Sequence, residues 1–110
     1  MLIVANARCF GGSFRIAPQA SLTDGRLDAI SIRDAPPLRR LRLLGAAAKG
    51  THTSLPEVTT EQAERFTLRF AHPPGYETDG EYHVASSAEL EVSCVPHALR
   101  VVTADAAPPP

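Results

Sequence analysis

The stretch Asn6–Phe14, NARCFGGSF, runs on toward Pro18–Asp28, PQASLTDGRLD, and these two segments organise the first third of the chain. The Gly11-Gly12 pair permits a bulge or a close approach of two backbone segments. Asp24-Gly25 predicts a turn, because glycine adopts a positive φ at little cost. Apolar and polar residues alternate in Leu27–Arg33, which predicts a strand directly after this turn. The segments therefore indicate a β-hairpin or meander.

The rest of the chain repeats this pattern of short strands divided by turn residues. Further strands are predicted over 2–7, 14–17, 66–70, 90–95 and 99–102, with a polar strand or hairpin over 77–83. Residues 60–65 are ambiguous in their predicted secondary structure, and 51–58 are predicted as loop. About six strands and one helix at this spacing predict a mainly β fold, part of an antiparallel β-sandwich. Residues 1–103 form the predicted domain, and 104–110 a disordered tail rich in Pro and Ala.

One amphipathic helix is predicted over Pro37–Lys49, since proline suits the first helical turn and Gly50 can end the helix. An apolar stripe at helical spacing consists of Leu38, Leu41, Leu44 and Ala48. Four basic side chains accompany it: Arg39, Arg40, Arg42 and Lys49. Such a helix can contact anionic lipid headgroups, or it can simply expose a solvated charged face.

Composition excludes several classes of function. The 110 residues carry a net charge of −1, with 5% aromatic residues and no Trp, so nucleic-acid binding is not expected. No apolar run approaches the roughly 20 residues that cross a bilayer, and no secretory signal opens the chain. Cys9 and Cys94 are predicted to be reduced, buried thiols of a cytoplasmic protein.

Asp79-Gly80-Glu81 contains a pair of acids with catalytic potential. On an extended strand, residues two apart project to the same face, with Cα atoms roughly 6.5 Å apart. One carboxylate of such a pair can accept the proton of an attacking hydroxyl while the other orients a partner or helps hold a divalent metal. The same triplet is also typical of a solvent-exposed turn.

Asp24 is a candidate metal ligand for a different reason. A tight turn can direct one carboxylate and neighbouring main-chain carbonyl oxygens toward a hard cation such as Mg²⁺. The alternative is an Asx turn without metal, in which the carboxylate accepts a backbone N–H. The sequence leaves both interpretations open.

In combination, these motifs resemble the C-terminal domain of the bacterial lipid kinases related to diacylglycerol kinase and sphingosine kinase. The resemblance covers 6–102 and includes Gly50-x-His52, Pro56-x-Val58 and the closing Val95–Val101. Two positions depart from the family pattern, which usually has an aromatic residue in place of Cys9 and a third glycine in place of Ser13.

The resemblance implies roles for individual residues. Asp79 would be the base for a lipid hydroxyl, with Glu81 supporting it. Mg²⁺ would be held by the Asp24 side chain and the carbonyls of Ser21 and Arg26.

The resemblance also implies partners, because the family's Gly-Gly-Asp-Gly-Thr signature for nucleotide binding does not occur in this sequence. ATP, the co-substrate, would be bound mainly by a nucleotide-binding half, and no residue here is predicted to bind it. The chain is expected to be inactive alone and, because part of the sandwich is missing, to self-associate or to pair with that half. A lipid substrate and peripheral contact with the inner face of the membrane are expected. The alternative is a non-catalytic β-domain for self-association or membrane contact.

Overall fold

A computed structural model describes residues 1–102 of the chain. It consists mainly of strands in antiparallel sheets, with one α-helix, and forms the small sandwich-like domain that the sequence predicts. The strands are β1 (Leu2–Ala5), β2 (Leu27–Ile32), β3 (Val58–Ala63), β4 (Arg65–Arg69), β5 (Gly75–Thr78), β6 (Glu81–Val84) and β7 (Glu89–Ser93). The helix α1 spans Pro37–Lys49, and a 3₁₀ turn covers His52–Ser54. The predicted tail, 104–110, lies outside the described residues.

The core lies on a three-stranded antiparallel sheet in the order β1–β2–β3. In the middle strand, Ile30 is fully buried and stands opposite Ile3 on one side and Thr60 on the other. The helix and the segment that contains Ile16 pack against this sheet. The buried cluster comprises Ile16, Ala17, Ala20, Ile30, Ala35, Leu43, Ala47 and Val58.

The chain passes from this sheet to a second one through a bend at Glu64. The strand β3 pairs with β2, whereas β4 pairs with β7 in an antiparallel ribbon. Cys94 donates its backbone N–H to the carbonyl of Glu64 at 2.9 Å, which ties the end of the ribbon to the bend. Strands that bend and change sheets in this way form the corners of sandwich folds. The hairpin β5–β6 is inserted between β4 and β7.

The face that helix α1 buries is not the predicted apolar stripe. Its buried residues are Leu43 and Ala47. The predicted apolar stripe instead faces away from the core, with Leu38 84%, Leu41 68% and Leu44 55% exposed. Helical spacing reveals that a stripe exists, but the tertiary contacts decide which face is covered.

Gly50 ends the helix in the left-handed conformation, with φ 74°, and its substitution is expected to destabilise the domain. A Cβ at this position would lie 3.1 Å from the Cβ of Arg15. Gly50→Ala is therefore expected to lower the free energy of unfolding by about 1–2 kcal/mol. Gly45→Ala is the matched control, because it adds a Cβ in open space within the helix and should raise stability by roughly 0.5–1 kcal/mol. Chemical denaturation measures both, and equal effects would contradict this account of Gly50.

Three predictions about local structure are wrong. Residues 14–17 form no strand, because Arg15 donates its N–H to the helix carbonyl of Ala47 and Ala17 donates to Arg8. Residues 99–102 are not a strand either, and their apolar side chains are largely exposed. The thiols are not buried, since Cys9 is exposed and Cys94 is half-buried, although both are free as predicted.

Candidate functional site

The hairpin tip, Thr78–Glu81, places the two candidate acids in a tight turn. Asp79 has φ 49° and Gly80 has φ 87°, and Thr78 stands opposite Glu81 across the hairpin. Positive φ at both central residues is the signature of a type I′ turn, for which Asp-Gly is a preferred sequence. The prediction of a hairpin is confirmed. The expectation that both acids lie on one extended strand is wrong, because the turn rather than strand alternation brings them together.

Beside the tip, one face of the hairpin carries an ordered polar and aromatic group. Residues directly opposite each other share a face, so the register places Thr78 and Tyr76 with Glu81 and His83. The His83 Nε2 lies 2.8 Å from the Thr78 hydroxyl, and its ring stacks on Tyr76 with centroids 5.3 Å apart. Sequence reasoning missed Tyr76 and Thr78, although the register that follows from an Asp-Gly turn could have identified them.

Both acids of the hairpin tip are open to a substrate. Asp79 and Glu81 are exposed, and within 1–102 neither carboxylate makes a hydrogen bond or an ion pair. Their lone pairs are therefore free to accept hydrogen bonds from a bound hydroxyl. Chemically, the tip can take up a proton or orient a donor.

The Asp24 turn, Ser21–Arg26, is held by hydrogen bonds to both carboxylate oxygens of Asp24. The backbone N–H of Arg26 donates to Oδ1 at 3.0 Å, which makes an Asx turn. The Gln62 side chain on β3 donates to Oδ2 at 3.1 Å, a contact that sequence reasoning missed. These two hydrogen bonds fix the orientation of the Asp24 carboxylate.

The donor set at this turn suits Mg²⁺. Each carboxylate oxygen of Asp24 has a further lone pair, and main-chain carbonyls are the hard oxygen ligands that Mg²⁺ accepts. No group of three or more metal-ligating side chains occurs among residues 1–102. The residues therefore fit a weak site with one carboxylate, in which most ligands are water.

The glycine-rich stretch forms a tight loop between Phe10 and Phe14. Phe10 and Phe14 exchange backbone hydrogen bonds of 2.8 and 3.1 Å across it, with Gly11 and Gly12 at positive φ. Ser13 has no positive φ, so the loop does not require a glycine there. A shallow concavity of about 440 Å³ lies next to this loop, lined by Ala7, Arg8, Cys9, Ala20, Ser21 and Leu22.

The four basic residues of α1 divide into two pairs. Arg39 donates to Glu57 at 3.0 Å and Arg40 to Asp34 at 2.6 Å, so both are held in ion pairs. Arg42 and Lys49 are exposed and have no ion-pair partner within the described part of the chain. Among the predicted membrane contacts, Arg42 and Lys49 are thus the pair without an ion-pair partner in residues 1–102.

Within residues 1–102, two polar side chains are buried in the core, and sequence reasoning assigned neither of them a place there. His52 is fully buried, and its Nε2 donates to the carbonyl of Ile16 at 2.8 Å. Asp28 is 1% exposed, and neither carboxylate oxygen has a hydrogen-bond partner in the described residues. The Gly50-x-His52 motif thus has a structural role, as it ties the end of α1 to the segment before the Asp24 turn.

Comparison with known sequences identifies the family of this chain. Residues 1–103 match the family described as "YegS C-terminal NAD kinase beta sandwich-like domain". The chain belongs to this family. A curated relative, "Diacylglycerol kinase" of Mycobacterium tuberculosis, is 33% identical over 97 residues, which cover 88% of this chain and 30% of that protein. "Putative lipid kinase YtlR" of Bacillus subtilis is 27% identical over 101 residues, or 92% of this chain and 32% of that protein.

This YegS C-terminal domain spans about a third of the length of those relatives. The resemblance to lipid kinases drawn from its motifs is confirmed at the level of the family. No solved structure gives a significant match. Within residues 1–102, no helix has the length and hydrophobicity of a membrane span.

Proposed function

We propose that this domain is the C-terminal part of an ATP-dependent lipid kinase, which transfers the γ-phosphate to a lipid hydroxyl of diacylglycerol or a sphingoid base. The observation that carries the proposal is the exposed Asp79–Glu81 pair at the hairpin tip of a chain 33% identical to a diacylglycerol kinase. Activity requires a nucleotide-binding part, either from the same polypeptide or from an associated one, to hold ATP. Cytoplasmic localisation with peripheral membrane contact is part of this proposal.

Asp79 is the proposed general base. Its carboxylate accepts the proton of the lipid hydroxyl while the hydroxyl oxygen bonds to the γ-phosphorus and the bond to the ADP oxygen breaks. Glu81 supports this step by orienting the hydroxyl or Asp79. The type I′ turn fixes the backbone of both residues, so little ordering remains to be done when the substrate arrives.

Mg²⁺ is proposed to bind the Asp24 turn through the Asp24 side chain and the carbonyls of Ser21 and Arg26. When bound, it would supply positive charge that holds the turn before β2 in place. The Asx turn and the Gln62 contact keep the carboxylate oriented for this role.

Addition of about 10 mM Mg²⁺ is expected to raise the free energy of unfolding by about 1 kcal/mol, because a site with one carboxylate binds in roughly the millimolar range. Asp24→Asn should abolish this stabilisation while keeping the Asx turn, since Asn can also accept the Arg26 N–H. Asp34→Asn is the matched control, because Asp34 is exposed and contacts Arg40 instead. Thermal unfolding with and without the ion measures the effect. Equal stabilisation of both variants would contradict the site.

Transfer of labelled phosphate from ATP to lipid vesicles tests the proposed activity. The chain is assayed alone and mixed with the remaining part of the M. tuberculosis diacylglycerol kinase. Label should enter the lipid only in the mixture. A folded complex of the two parts that transfers none would favour a non-catalytic domain.

That second candidate, a β-domain for self-association or membrane contact, is favoured by one specific observation. The leucines of α1 that face away from the core leave an apolar surface without a partner among residues 1–102. The phosphate-transfer assay distinguishes the two candidates, because a non-catalytic domain would support no transfer from ATP to lipid in any mixture.

A further inference from the structure

The face of α1 that points away from the core carries a continuous apolar strip. The leucine stripe, Leu38, Leu41 and Leu44, is 84%, 68% and 55% exposed. Leu41 precedes the buried Leu43 by two residues, or about 200° around the helix, so the stripe points away from the core. Exposed leucines at a three-residue spacing form one continuous strip, unlike the isolated apolar residues that are normal on a surface.

Uncommitted positive charge borders this strip. Arg42 lies four residues after Leu38, and Lys49 lies two turns further along the same line. Arg39 and Arg40 are already paired with Glu57 and Asp34. No acidic residue occurs between Asp34 and Glu57, so the whole helix lacks negative charge.

We propose that α1 lies in the plane of an anionic bilayer surface. Leu38, Leu41 and Leu44 enter the boundary between headgroups and acyl chains, and Arg42 and Lys49 meet lipid phosphates. An apolar face flanked by basic residues is the pattern of an interfacial helix. The choice of a lipid as occupant rests on the proposed function, because a kinase acting on a lipid must reach a membrane.

Charge complementarity favours a lipid surface over a second copy of the chain. A self-complementary pairing would bring the Arg42 and Lys49 side chains of two copies together. With no acid on the helix to offset them, these like charges would repel each other. An anionic bilayer supplies the opposite charge along the full length of the helix.

Co-sedimentation with vesicles, in the absence of ATP, tests this inference. The full chain is mixed with phosphatidylcholine vesicles that contain or lack about a third of phosphatidylserine. Binding is expected on the anionic vesicles and should weaken as salt screens the basic residues. The double variant Leu38→Gln/Leu41→Gln should lower the partition coefficient about tenfold or more. Arg42→Gln/Lys49→Gln should lower it on anionic vesicles only.

Leu99→Gln is the matched control, because Leu99 is as exposed as Leu38, at 84%, but lies outside the helix. Unchanged binding of this variant, with circular dichroism showing that all variants are folded, is the expected result. The inference would be overturned if both helix variants bound vesicles as well as the wild type does, or if the wild type did not bind them. A dimer that the leucine variants dissociate would also overturn it, because the occupant would then be a second copy.

These outcomes are separable from failure of the proposed function. Vesicle binding requires no phosphate transfer, so a complex without kinase activity would not contradict the binding of α1 to the bilayer. Conversely, a complex that phosphorylates lipid in detergent micelles without binding vesicles would support the proposed function. That result would contradict the proposal that α1 lies on the bilayer surface.

Discussion

Asp79→Asn is expected to lower the rate of phosphate transfer by about 10²–10⁴-fold in a complex that contains a nucleotide-binding part. An amide cannot accept the proton that the carboxylate takes from the lipid hydroxyl, and positioned general bases contribute effects of this size. The substitution leaves the fold in place, because Asn tolerates the left-handed conformation that Asp79 adopts at φ 49°. The loss should therefore appear in the rate, with folding and vesicle binding unchanged.

Glu77→Gln is the matched control for this experiment. Glu77 is an exposed acid on β5, but it stands opposite Tyr82 and so projects from the other face of the hairpin. Its substitution should change the rate by less than about twofold, whereas Glu81→Gln should give an intermediate loss. Equal rates for Asp79→Asn and Glu77→Gln in single-turnover assays would remove Asp79 from the chemistry.

His52→Ala is expected to lower the free energy of unfolding by about 2–4 kcal/mol. The ring is fully buried, so its removal leaves a cavity between α1 and the sheet, and the carbonyl of Ile16 loses its donor. For a domain of this size, the loss corresponds to a fall in Tm of more than about 10 °C.

His72→Ala controls for the loss of a histidine as such, because His72 is exposed in the loop before β5. Its free energy of unfolding should stay within about 0.5 kcal/mol of the wild type. His52→Gln should recover part of the loss, since its amide can donate to the same carbonyl. Indistinguishable denaturation curves for His52→Ala and His72→Ala would contradict the structural role of His52.

The elements predicted from sequence are those whose signals are local. The Asp-Gly turn residues and the alternation in β2, β4 and β7 act between near neighbours, and the structure contains these elements. Pro37 and Gly50 likewise mark the two ends of α1. The relation to lipid kinases was also available from the sequence, because the motifs occur in a fixed order along the chain.

The failures arise where tertiary contacts decide the outcome. The backbone between Arg15 and Ala17 finds partners in the helix and in Arg8, so the alternation there does not produce a strand. The three leucines of α1 mark an apolar stripe, but the sheet contacts Leu43 and Ala47 instead. The burial of His52 depends on a carbonyl 36 residues away, which no local pattern reveals.

At the candidate site, the residue types were predictable and their geometry was only partly so. Asp79 and Glu81 became candidates through the resemblance to lipid kinases together with their spacing, and the positive φ values of Asp79 and Gly80 place them in a turn. The contact of Gln62 with Asp24 joins residues 38 positions apart, and it follows only from the pairing of β2 with β3.

The most direct test is a fusion in which residues 1–102 replace the matching segment of the M. tuberculosis diacylglycerol kinase. The measurement is the transfer of labelled γ-phosphate from ATP to diacylglycerol in vesicles, at equal concentrations of folded protein. We expect transfer by the fusion and its loss in the Asp79→Asn form. A folded fusion that binds ATP and vesicles but transfers no phosphate would contradict the claim that this domain completes a lipid kinase.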